Sequence, residues 1–324
     1  MTRPPKLILL GHPVSHSLSP AIHNAALAKA GIPLTYETID VTPAKLDVTL
    51  DKAMAESWAG NVTVPLKEEF FERCGKLTPI AERAGAVNTF RVRNGVLMGH
   101  NTDVGGFDAA VRRLFDGDLP VMPVVALLGA GGGARATLAA MERWPDAKVR
   151  IWSRKKERAK AVAERYPKVA EAVEKKEQAL EGATLVINAT PLGLKAEDPM
   201  IVPAEKVPAS AVVIDLAYRK GGTEWVKALR KRGIKAEDGL AMLVEQAALA
   251  WSWWFGADPD RAVMSEAAGR KLGWGGSTGR SGLLGSGGGL GGDPFGGVLW
   301  VAGGLMSVGE RSTARTALLV TRDE

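Results

Sequence analysis

The sequence holds very little cysteine and no long apolar run. Cys74 is the only cysteine among 324 residues, so a disulfide within the chain or a cysteine-built metal site is excluded. The apolar stretch at residues 7–10 is too short for the core of a signal peptide, and that at 298–306 is too short for a membrane span. We therefore expect a cytoplasmic protein without a membrane partner.

The chain also lacks a strong excess of charge. Its formal net charge of +6 fits an anionic small ligand as well as it fits nucleic acid, and no stretch has the dense basic pattern of a nucleic-acid-binding surface. Of the four histidines, His12 and His16 are four residues apart, but Pro13 prevents the helical geometry that would aim both at one metal. We predict a small-molecule ligand, no nucleic acid and no metal.

The length predicts more than one domain, since 324 residues exceed what a single core usually holds. Strand-like and helix-like segments alternate through most of the chain, which predicts an α/β fold with parallel strands. Prolines and glycines at 116–123 indicate a domain junction. The glycine-rich composition from 274 to 324 is typical of a flexible linker and predicts a disordered extension, with a docking segment for a partner as the alternative.

The stretch from Asn61 to Lys67 places polar side chains where a strand ends. Asn61 and Thr63 share one face of that strand because strand side chains alternate. Pro65 cannot donate to a sheet and suits the start of a helix, so Lys67 lies where strand and helix meet. Lys67 is either a solvated residue of the first turn, the usual fate of lysine, or an ammonium aimed into the same cleft as Asn61 and Thr63.

Two further groups of polar residues stand near predicted helix starts. Ser19 is a suitable N-cap before Pro20, so Ser17 and Ser19 lie at a helix N-terminus, which favours an anion such as a carboxylate. The alternative is that Ser19 only caps the helix and Ser17 faces water. Asp103 follows a predicted hairpin centred on Asn94-Gly95, and it either caps the next helix or acts as a carboxylate in the cleft.

An apolar strand at 124–128 runs into a glycine turn and a helix, the Rossmann arrangement for a dinucleotide pyrophosphate. The turn comprises Gly129, Ala130, Gly131, Gly132, Gly133 and Ala134. The next strand ends at Ser153, where an NAD-binding protein would usually carry an acid. Arg154, Lys155 and Arg158 suit the 2′-phosphate of NADP instead; a solvated basic helix start is the alternative.

The later strands also end in polar or cleft-facing residues. Ligands of open α/β sheets bind at the carboxyl ends of strands, so the ends of the strands at 184–187 and 211–216 are expected near the cofactor. An apolar helix that follows Gly239 could return the chain to the first domain.

Taken together, these motifs closely resemble those of the shikimate dehydrogenase family over roughly residues 6 to 273. The matching stretches are the serine motif at 16–20, N-x-T-x-P-x-K at 61–67, Asn88, N-T-D at 101–103, the glycine turn at 129–135, N-A-T-P-x-G at 188–193, Tyr218, and D-G-x-x-M-L-x-x-Q at 238–246. The sequence departs from the family at Ser153, Arg154 and Lys155, where the family carries N-R-T, and in the glycine-rich extension.

The resemblance implies reversible, NADPH-dependent reduction of 3-dehydroshikimate to shikimate in aromatic amino-acid biosynthesis. It implies a substrate-binding domain at 1–103, completed by helices from 239–273, and a Rossmann-type NADP-binding domain at 104–238. Lys67 and Asp103 would be catalytic. The implied substrate contacts are Ser17, Ser19, Asn61, Thr63, Asn88, Tyr218 and Gln246. The glycine turn and the residues after the second Rossmann strand would contact the cofactor. Further implied cofactor contacts are Asn188, Thr190, Leu216, Gly239 and Met242.

Two other functions remain open from the sequence. A quinate/shikimate dehydrogenase would use NAD, which the missing acid at Ser153 argues against. A nonenzymatic ligand-sensing relative would not need both Lys67 and Asp103. We expect a monomer or a homodimer.

Overall fold

The computed structural model describes residues 4–119 and 121–273, all within one compact unit. This part of the chain forms two six-stranded sheets with helices on their faces, which confirms the predicted α/β class. The predicted glycine-rich extension at 274–324 lies outside the described residues.

The first sheet is mixed. Its strands run in the order β2-β1-β3-β5-β6-β4. They are β1 (Leu7–Gly11), β2 (Tyr36–Asp40), β3 (Ala59–Val62), β4 (Lys76–Leu77), β5 (Thr89–Arg93) and β6 (Val96–His100). β1 pairs in parallel with β2 and β3, and β4 with β6, whereas β5 is antiparallel to both neighbours. The predicted hairpin joins β5 and β6, and Asn94 and Gly95 both adopt the positive φ that a two-residue turn requires.

Five helices belong to this half of the chain. They are α1 (Ser19–Lys29), α2 (Leu46–Ala55), α3 (Lys67–Arg73), α4 (Pro79–Ala84) and α5 (Asp103–Leu114), with a 3-10 turn at Pro43–Lys45 before α2. Side chains of β1 alternate between the two faces of the sheet and so belong to two separate cores. Leu7 and Leu9 pack with α1, whereas Ile8 and Leu10 pack with Phe70 of α3.

The second sheet is entirely parallel and has the Rossmann strand order. Its elements are β7 (Val124–Leu128), α6 (Gly132–Met141), β8 (Lys148–Trp152), α7 (Lys156–Glu164), β9 (Ala170–Ala172), α8 (Lys176–Leu180), β10 (Leu185–Asn188), β11 (Val212–Asp215), α9 (Glu224–Lys231) and β12 (Ala236–Asp238), with a 3-10 turn at Ala204–Lys206. The order β12-β11-β10-β7-β8-β9 reverses direction between β7 and β10, where such sheets bind dinucleotides.

The last two helices return to the first sheet. They are α10 (Leu240–Phe255) and α11 (Arg261–Lys271). Trp251 and Trp254 of α10 and Met264 of α11 join the core formed by β1 and α1. α10 also packs closely on α5, since a Cβ on Gly106 would lie 2.8 Å from Cβ of Gln246.

One predicted boundary was wrong by one residue. Ser19 is the first residue of α1 rather than its cap, because the fixed φ of Pro20 also suits the second helical position. Pro43–Lys45 forms a 3-10 turn, and α2 ends at Ala55. The last strand begins at Ala236, and the positive φ of Gly233 ends the helix before it.

Candidate active site

The central feature of the site is an ion pair between Lys67 and Asp103. Nζ of Lys67 lies 2.6 Å from Oδ2 of Asp103, and the two side chains are only 17% and 8% exposed. Each residue is the first of its helix, α3 and α5 respectively. The sequence left open whether Lys67 is solvated and whether Asp103 only caps a helix. The ion pair favours the cleft for both residues, because a solvated lysine would not be held this closely.

Asn88 holds the other oxygen of the aspartate. Its Nδ2 donates to Oδ1 of Asp103 at 2.8 Å and also lies 2.9 Å from Oγ1 of Thr102. Oε1 of Gln246, from α10, is 3.2 Å from the same nitrogen. Three predicted site residues, Asp103, Asn88 and Gln246, therefore converge although they come from α5, the start of β5 and α10.

Asn61 is buried and is held by other groups of the protein. Its side chain is 5% exposed, and its carboxamide accepts from the Tyr36 hydroxyl and donates to the Asn88 carbonyl and to Thr89. With three protein partners already present, Asn61 is better suited to position its neighbours than to contact a ligand. Thr63, two residues further, is half-buried, so its side chain is more accessible than that of Asn61.

The serine motif lies against the end of the second sheet. Ser17 is half-buried and its hydroxyl accepts from the backbone N–H of Ser19, which is itself buried. Tyr218, which follows β11, joins the core around α1. Burial raises the pKa of the Tyr218 hydroxyl, against a hydrogen bond from the Leu18 backbone. The structure thus brings together Ser17, Ser19 and Tyr218, three of the implied substrate contacts.

The glycine turn provides a backbone surface suited to a dinucleotide. Gly129 has φ of +125°, and a Cβ there would lie 2.7 Å from the Ala189 carbonyl oxygen. A Cβ on Gly131 would meet nothing within 4 Å, so the chain leaves open space beside the start of α6. Since the first N–H groups of a helix have no partner within it, this turn fits the pyrophosphate of a dinucleotide.

The glycine turn is also close to the lysine. A Cβ on Gly132 would lie 3.2 Å from Cδ of Lys67, and one on Gly133 would lie 3.3 Å from Cδ1 of Leu216. Ala130 and Ala134 are buried beneath the turn. The first turn of α6 therefore stands next to the lysine–aspartate pair.

The ends of β10 and β11 form a buried polar group below this cleft. Nδ2 of Asn188 donates to Oδ1 of Asp215 at 2.8 Å, and its oxygen accepts from the Thr190 hydroxyl at 2.7 Å. Burial raises the pKa of Asp215 to about 6, opposed by hydrogen bonds from Thr223, Ala217 and Asn188. These bonds hold the Asn188 carboxamide at this edge of the sheet, and its contact with the cofactor stays a prediction.

Gly239 and Met242 lie where α10 begins, beside the end of β11. A Cβ on Gly239 would lie 2.2 Å from the Leu216 carbonyl oxygen, so only glycine fits there. Met242 is 8% exposed and joins the core between α5 and the second sheet.

The residues after β8 form an accessible basic group. Ser153 is half-buried, and Arg154, Lys155 and Arg158 are exposed. Within residues 4–119 and 121–273, none of the three side chains makes a hydrogen bond or an ion pair. They are therefore available to an anion, and a fully solvated basic helix start is equally compatible with this geometry.

Nothing in the sequence indicated the contacts that join the two sheets. Nη2 of Arg135 in α6 lies 3.2 Å from Oε2 of Glu68, the neighbour of Lys67. Arg83 in α4 pairs with Glu142, which follows α6. Glu68 and Arg135 each sit next to a predicted motif, but no periodicity or spacing relates one to the other.

A parallel sheet in the Rossmann strand order, with a glycine turn after its first strand, is typical of dinucleotide-binding enzymes that transfer hydride. No helix in the described part of the chain is long and apolar enough to cross a membrane.

Two family models match this sequence. Residues 9–90 match the model for the shikimate dehydrogenase substrate binding domain, and residues 239–268 match that for the shikimate 5′-dehydrogenase C-terminal domain.

Individual relatives agree with the family models. A shikimate dehydrogenase (NADP(+)) of Thermus thermophilus is 39% identical over 268 residues, which cover 83% of this chain and 99% of that protein. The crystal structure of shikimate dehydrogenase from Aquifex aeolicus has 33% identity and a TM-score of 0.75, covering 81% of this chain and 97% of the other. A Thermus thermophilus shikimate 5-dehydrogenase in complex with NADP(H) and shikimate has 38% identity and a TM-score of 0.73, covering 82% and 99%. The chain belongs to the shikimate dehydrogenase family.

Proposed function

We propose that the protein catalyses the reversible, NADPH-dependent reduction of 3-dehydroshikimate to shikimate, a step in aromatic amino-acid biosynthesis. The observation that carries this proposal is the Lys67–Asp103 ion pair of 2.6 Å, which stands beside the first turn of α6. An ammonium held next to a dinucleotide-binding turn is what the reduction of a ketone to an alcohol requires.

Lys67 is the proton donor in the reducing direction. When hydride reaches the ketone carbon, the oxygen acquires negative charge and needs both a proton and a positive neighbour. The ammonium of Lys67 provides both. In the reverse direction the amine of Lys67 accepts the proton of the substrate hydroxyl.

Asp103 orients that ammonium. One carboxylate oxygen accepts from Lys67 and the other accepts from Asn88, so the aspartate cannot rotate without losing a hydrogen bond. Because Lys67 is at the start of α3 and Asp103 at the start of α5, their relative position is set by helices rather than by loops.

The substrate is held by side chains at the edge of the first sheet. Ser17, Ser19 and Tyr218 bind its carboxylate, supported by the N-terminus of α1. The ring hydroxyls lie against Thr63, Asn88 and Gln246. Asn61, predicted as a fourth contact with the ring, supports this group from beneath through its bond to the Asn88 carbonyl.

NADPH, when bound, supplies the hydride. The residues that would hold it are the glycine turn from Gly129 to Ala134, with Thr190, Leu216, Gly239 and Met242 at the neighbouring strand ends. Arg154, Lys155 and Arg158 would bind the 2′-phosphate, and Ser153 in place of an acid removes the usual partner of the NAD ribose. The open space at Gly131 supports this assignment.

We further propose that the chain divides into a substrate-binding domain (1–103 with 239–273) and a Rossmann-type NADP-binding domain (104–238). This division is supported by the sheets, because β1–β6 form the first and β7–β12 form the second. Cytoplasmic location, supported by the lone cysteine, and a monomeric or homodimeric state remain predictions. Sedimentation analysis of the purified full chain would decide the oligomeric state.

The test is an absorbance assay at the nicotinamide band, with shikimate and quinate each combined with NADP⁺ and NAD⁺. The proposal predicts the highest kcat/KM for shikimate with NADP⁺. A preference for quinate with NAD⁺ would identify the alternative dehydrogenase. Absence of turnover with all four combinations, while shikimate still binds, would indicate a ligand sensor.

A further inference from the structure

A continuous row of buried hydrogen bonds leads from β2 to the aspartate of the ion pair. It begins at the hydroxyl of Tyr36, which is 1% exposed and donates to Oδ1 of Asn61 at 2.8 Å. The Asn61 nitrogen already donates to the Asn88 carbonyl oxygen, which can only accept, and to Thr89. Its oxygen therefore faces Tyr36 and accepts the phenol hydrogen.

Thr89 links the Asn61 carboxamide to the Asn88 carboxamide. Nδ2 of Asn61 donates to Oγ1 of Thr89 at 2.9 Å, so the threonine oxygen already accepts and its single hydrogen is free for another acceptor. Oδ1 of Asn88 lies 3.0 Å away and takes that hydrogen. Thr89 is completely buried. The Thr102 hydroxyl, 3.1 Å from Thr89 Oγ1, accepts from Nδ2 of Asn88 and donates toward Oδ1 of Asn88.

The row ends on the carboxylate. Oδ1 of Asn88 receives hydrogens from Thr89 and, at 2.7 Å, from the backbone N–H of Thr102. Nδ2 of Asn88 is therefore turned toward Oδ1 of Asp103. Rotating the Asn88 amide by half a turn would bring its oxygen against the carboxylate, and two buried acceptors without a hydrogen between them repel each other.

We propose that Tyr36, Asn61 and Thr89 are positioning residues for the reaction: they fix the orientation of the Asn88 carboxamide and so hold Asp103 in place beside Lys67. This inference rests on the proposed function. None of the three touches the reacting atoms. They act through Asn88. Their hydrogen-bonding groups, rather than the volumes of their side chains, determine the orientation of the Asn88 carboxamide.

The central variants separate the hydroxyl of Thr89 from its shape. Thr89→Val keeps the volume and removes the hydroxyl, and kcat with NADPH and 3-dehydroshikimate should fall by roughly 10- to 100-fold, the usual effect of misplacing a reacting group. The KM for NADPH should stay unchanged, because the row does not reach the glycine turn. Thr89→Ser restores the hydroxyl and should recover most of kcat.

Tyr36→Phe has a matched control elsewhere in the chain. Tyr166 is also fully buried and its hydroxyl donates to the Arg83 carbonyl oxygen at 2.7 Å, but it is not part of this row. Both variants lose one buried hydroxyl, so we expect similar losses of melting temperature, with a lowered kcat in Tyr36→Phe alone. Equal kcat values in the two variants, or an unchanged kcat in Thr89→Val, would overturn the proposal.

Hydrogen exchange of the Asn61 and Asn88 side-chain amides, followed by NMR, tests the row without turnover. Exchange should be slow in the wild type and in Tyr166→Phe, and at least about tenfold faster in Tyr36→Phe, since each 1.4 kcal/mol of lost protection is a factor of ten. Fast exchange in the wild type would refute the row itself. If the wild type shows this protection but does not turn over shikimate, the proposed function fails and the positioning role fails with it. If the wild type is active and its kcat is insensitive to Thr89→Val, only the positioning role fails.

Discussion

At the scale of single residues, the choice between NADPH and NADH depends on the side chains after β8. Arginine presents a planar fork of donors that matches phosphate, and a hydrogen bond to a charged group contributes about 1.5–3 kcal/mol. We expect Arg154→Ala to weaken NADPH binding by roughly 10- to 150-fold and to leave NADH binding nearly unchanged. Titration of each cofactor by fluorescence would measure both constants.

The double variant Ser153→Asp with Arg154→Ala extends this prediction. An acid at position 153 repels the 2′-phosphate and accepts from the ribose hydroxyls, so the preference should invert toward NADH. Lys195→Ala, which removes an exposed lysine from the segment after β10, is a suitable control. If Arg154→Ala weakens both cofactors equally, Arg154 is only a solvated residue at a helix start.

The residues of the site were predictable from motifs, but their mutual contacts were not. Ser17, Thr63, Lys67 and Asp103 each stand at a strand end or a helix start, and such positions can be read from local pattern. The partners of Asn61 could not be, because Tyr36 and Thr89 are 25 and 28 residues away along the chain and follow no common motif. The sequence does not distinguish an asparagine that binds a ligand from one that hydrogen-bonds only to other residues of the protein.

At the scale of elements, the contact between β1 and β3 sets the position of the site, because β3 leads into Lys67. Gly60 pairs with Ile8, and a Cβ on Gly60 would lie 1.9 Å from the Ile8 carbonyl oxygen. Since backbone must move to admit a methyl group, Gly60→Ala should lower the free energy of unfolding by about 3 kcal/mol or more. Chemical denaturation followed by circular dichroism measures this.

Gly75→Ala is the matched control for Gly60→Ala. Gly75 is an exposed residue of the same half of the chain, and its Cβ would lie 3.3 Å from Cγ1 of Val96. That side chain can shift, so the change in stability should stay within about 0.5 kcal/mol. Equal effects of the two substitutions would show that β1 and β3 are not closely packed at Gly60.

The helices and long strands were predicted because their signals are local. Thr78 caps α4 and Gly85 ends it in the left-handed conformation, which follows from the chemistry of those two residue types. β4 has two residues and β9 three, too few for a periodic pattern, so both were missed. Their strand character comes from pairing with β6 and β8, which is a tertiary effect.

At the scale of the whole molecule, a buried histidine ties stability to pH. His23 is fully buried and stacks on Tyr36 with 4.4 Å between ring centroids. In the described residues neither ring nitrogen makes a hydrogen bond of good geometry. Burial lowers the pKa of His23 from 6.5 to about 3, opposed by the nearby Asn61 side chain. Below pH 6.5 the histidine is protonated in the unfolded chain but stays neutral in the folded chain. The free energy of unfolding therefore falls as the pH falls.

His23→Leu should remove this contribution. Between pH 7 and 5.5 we expect the free energy of unfolding to fall by about 1 kcal/mol more in the wild type than in His23→Leu. Asp215 acts in the opposite sense, because its raised folded pKa stabilises the folded chain as the pH falls toward 4, and the comparison of variants cancels it. Identical pH dependence in His23→Leu and the wild type would mean that folded His23 accepts a proton.

The two sheets meet at the lysine–aspartate pair, so the most direct test of the account is Lys67→Ala. We expect kcat to fall by roughly 10²- to 10⁴-fold, the usual range for the loss of a positioned acid or base. The dissociation constants of shikimate and NADPH should remain within a few-fold of the wild type, because Lys67 acts on charge that develops during the reaction. Steady-state kinetics at the nicotinamide band, combined with equilibrium titration of both ligands, gives these quantities. A steep rise in KM at unchanged kcat would contradict the account, since Lys67 would then be a binding residue and the proton would come from another group.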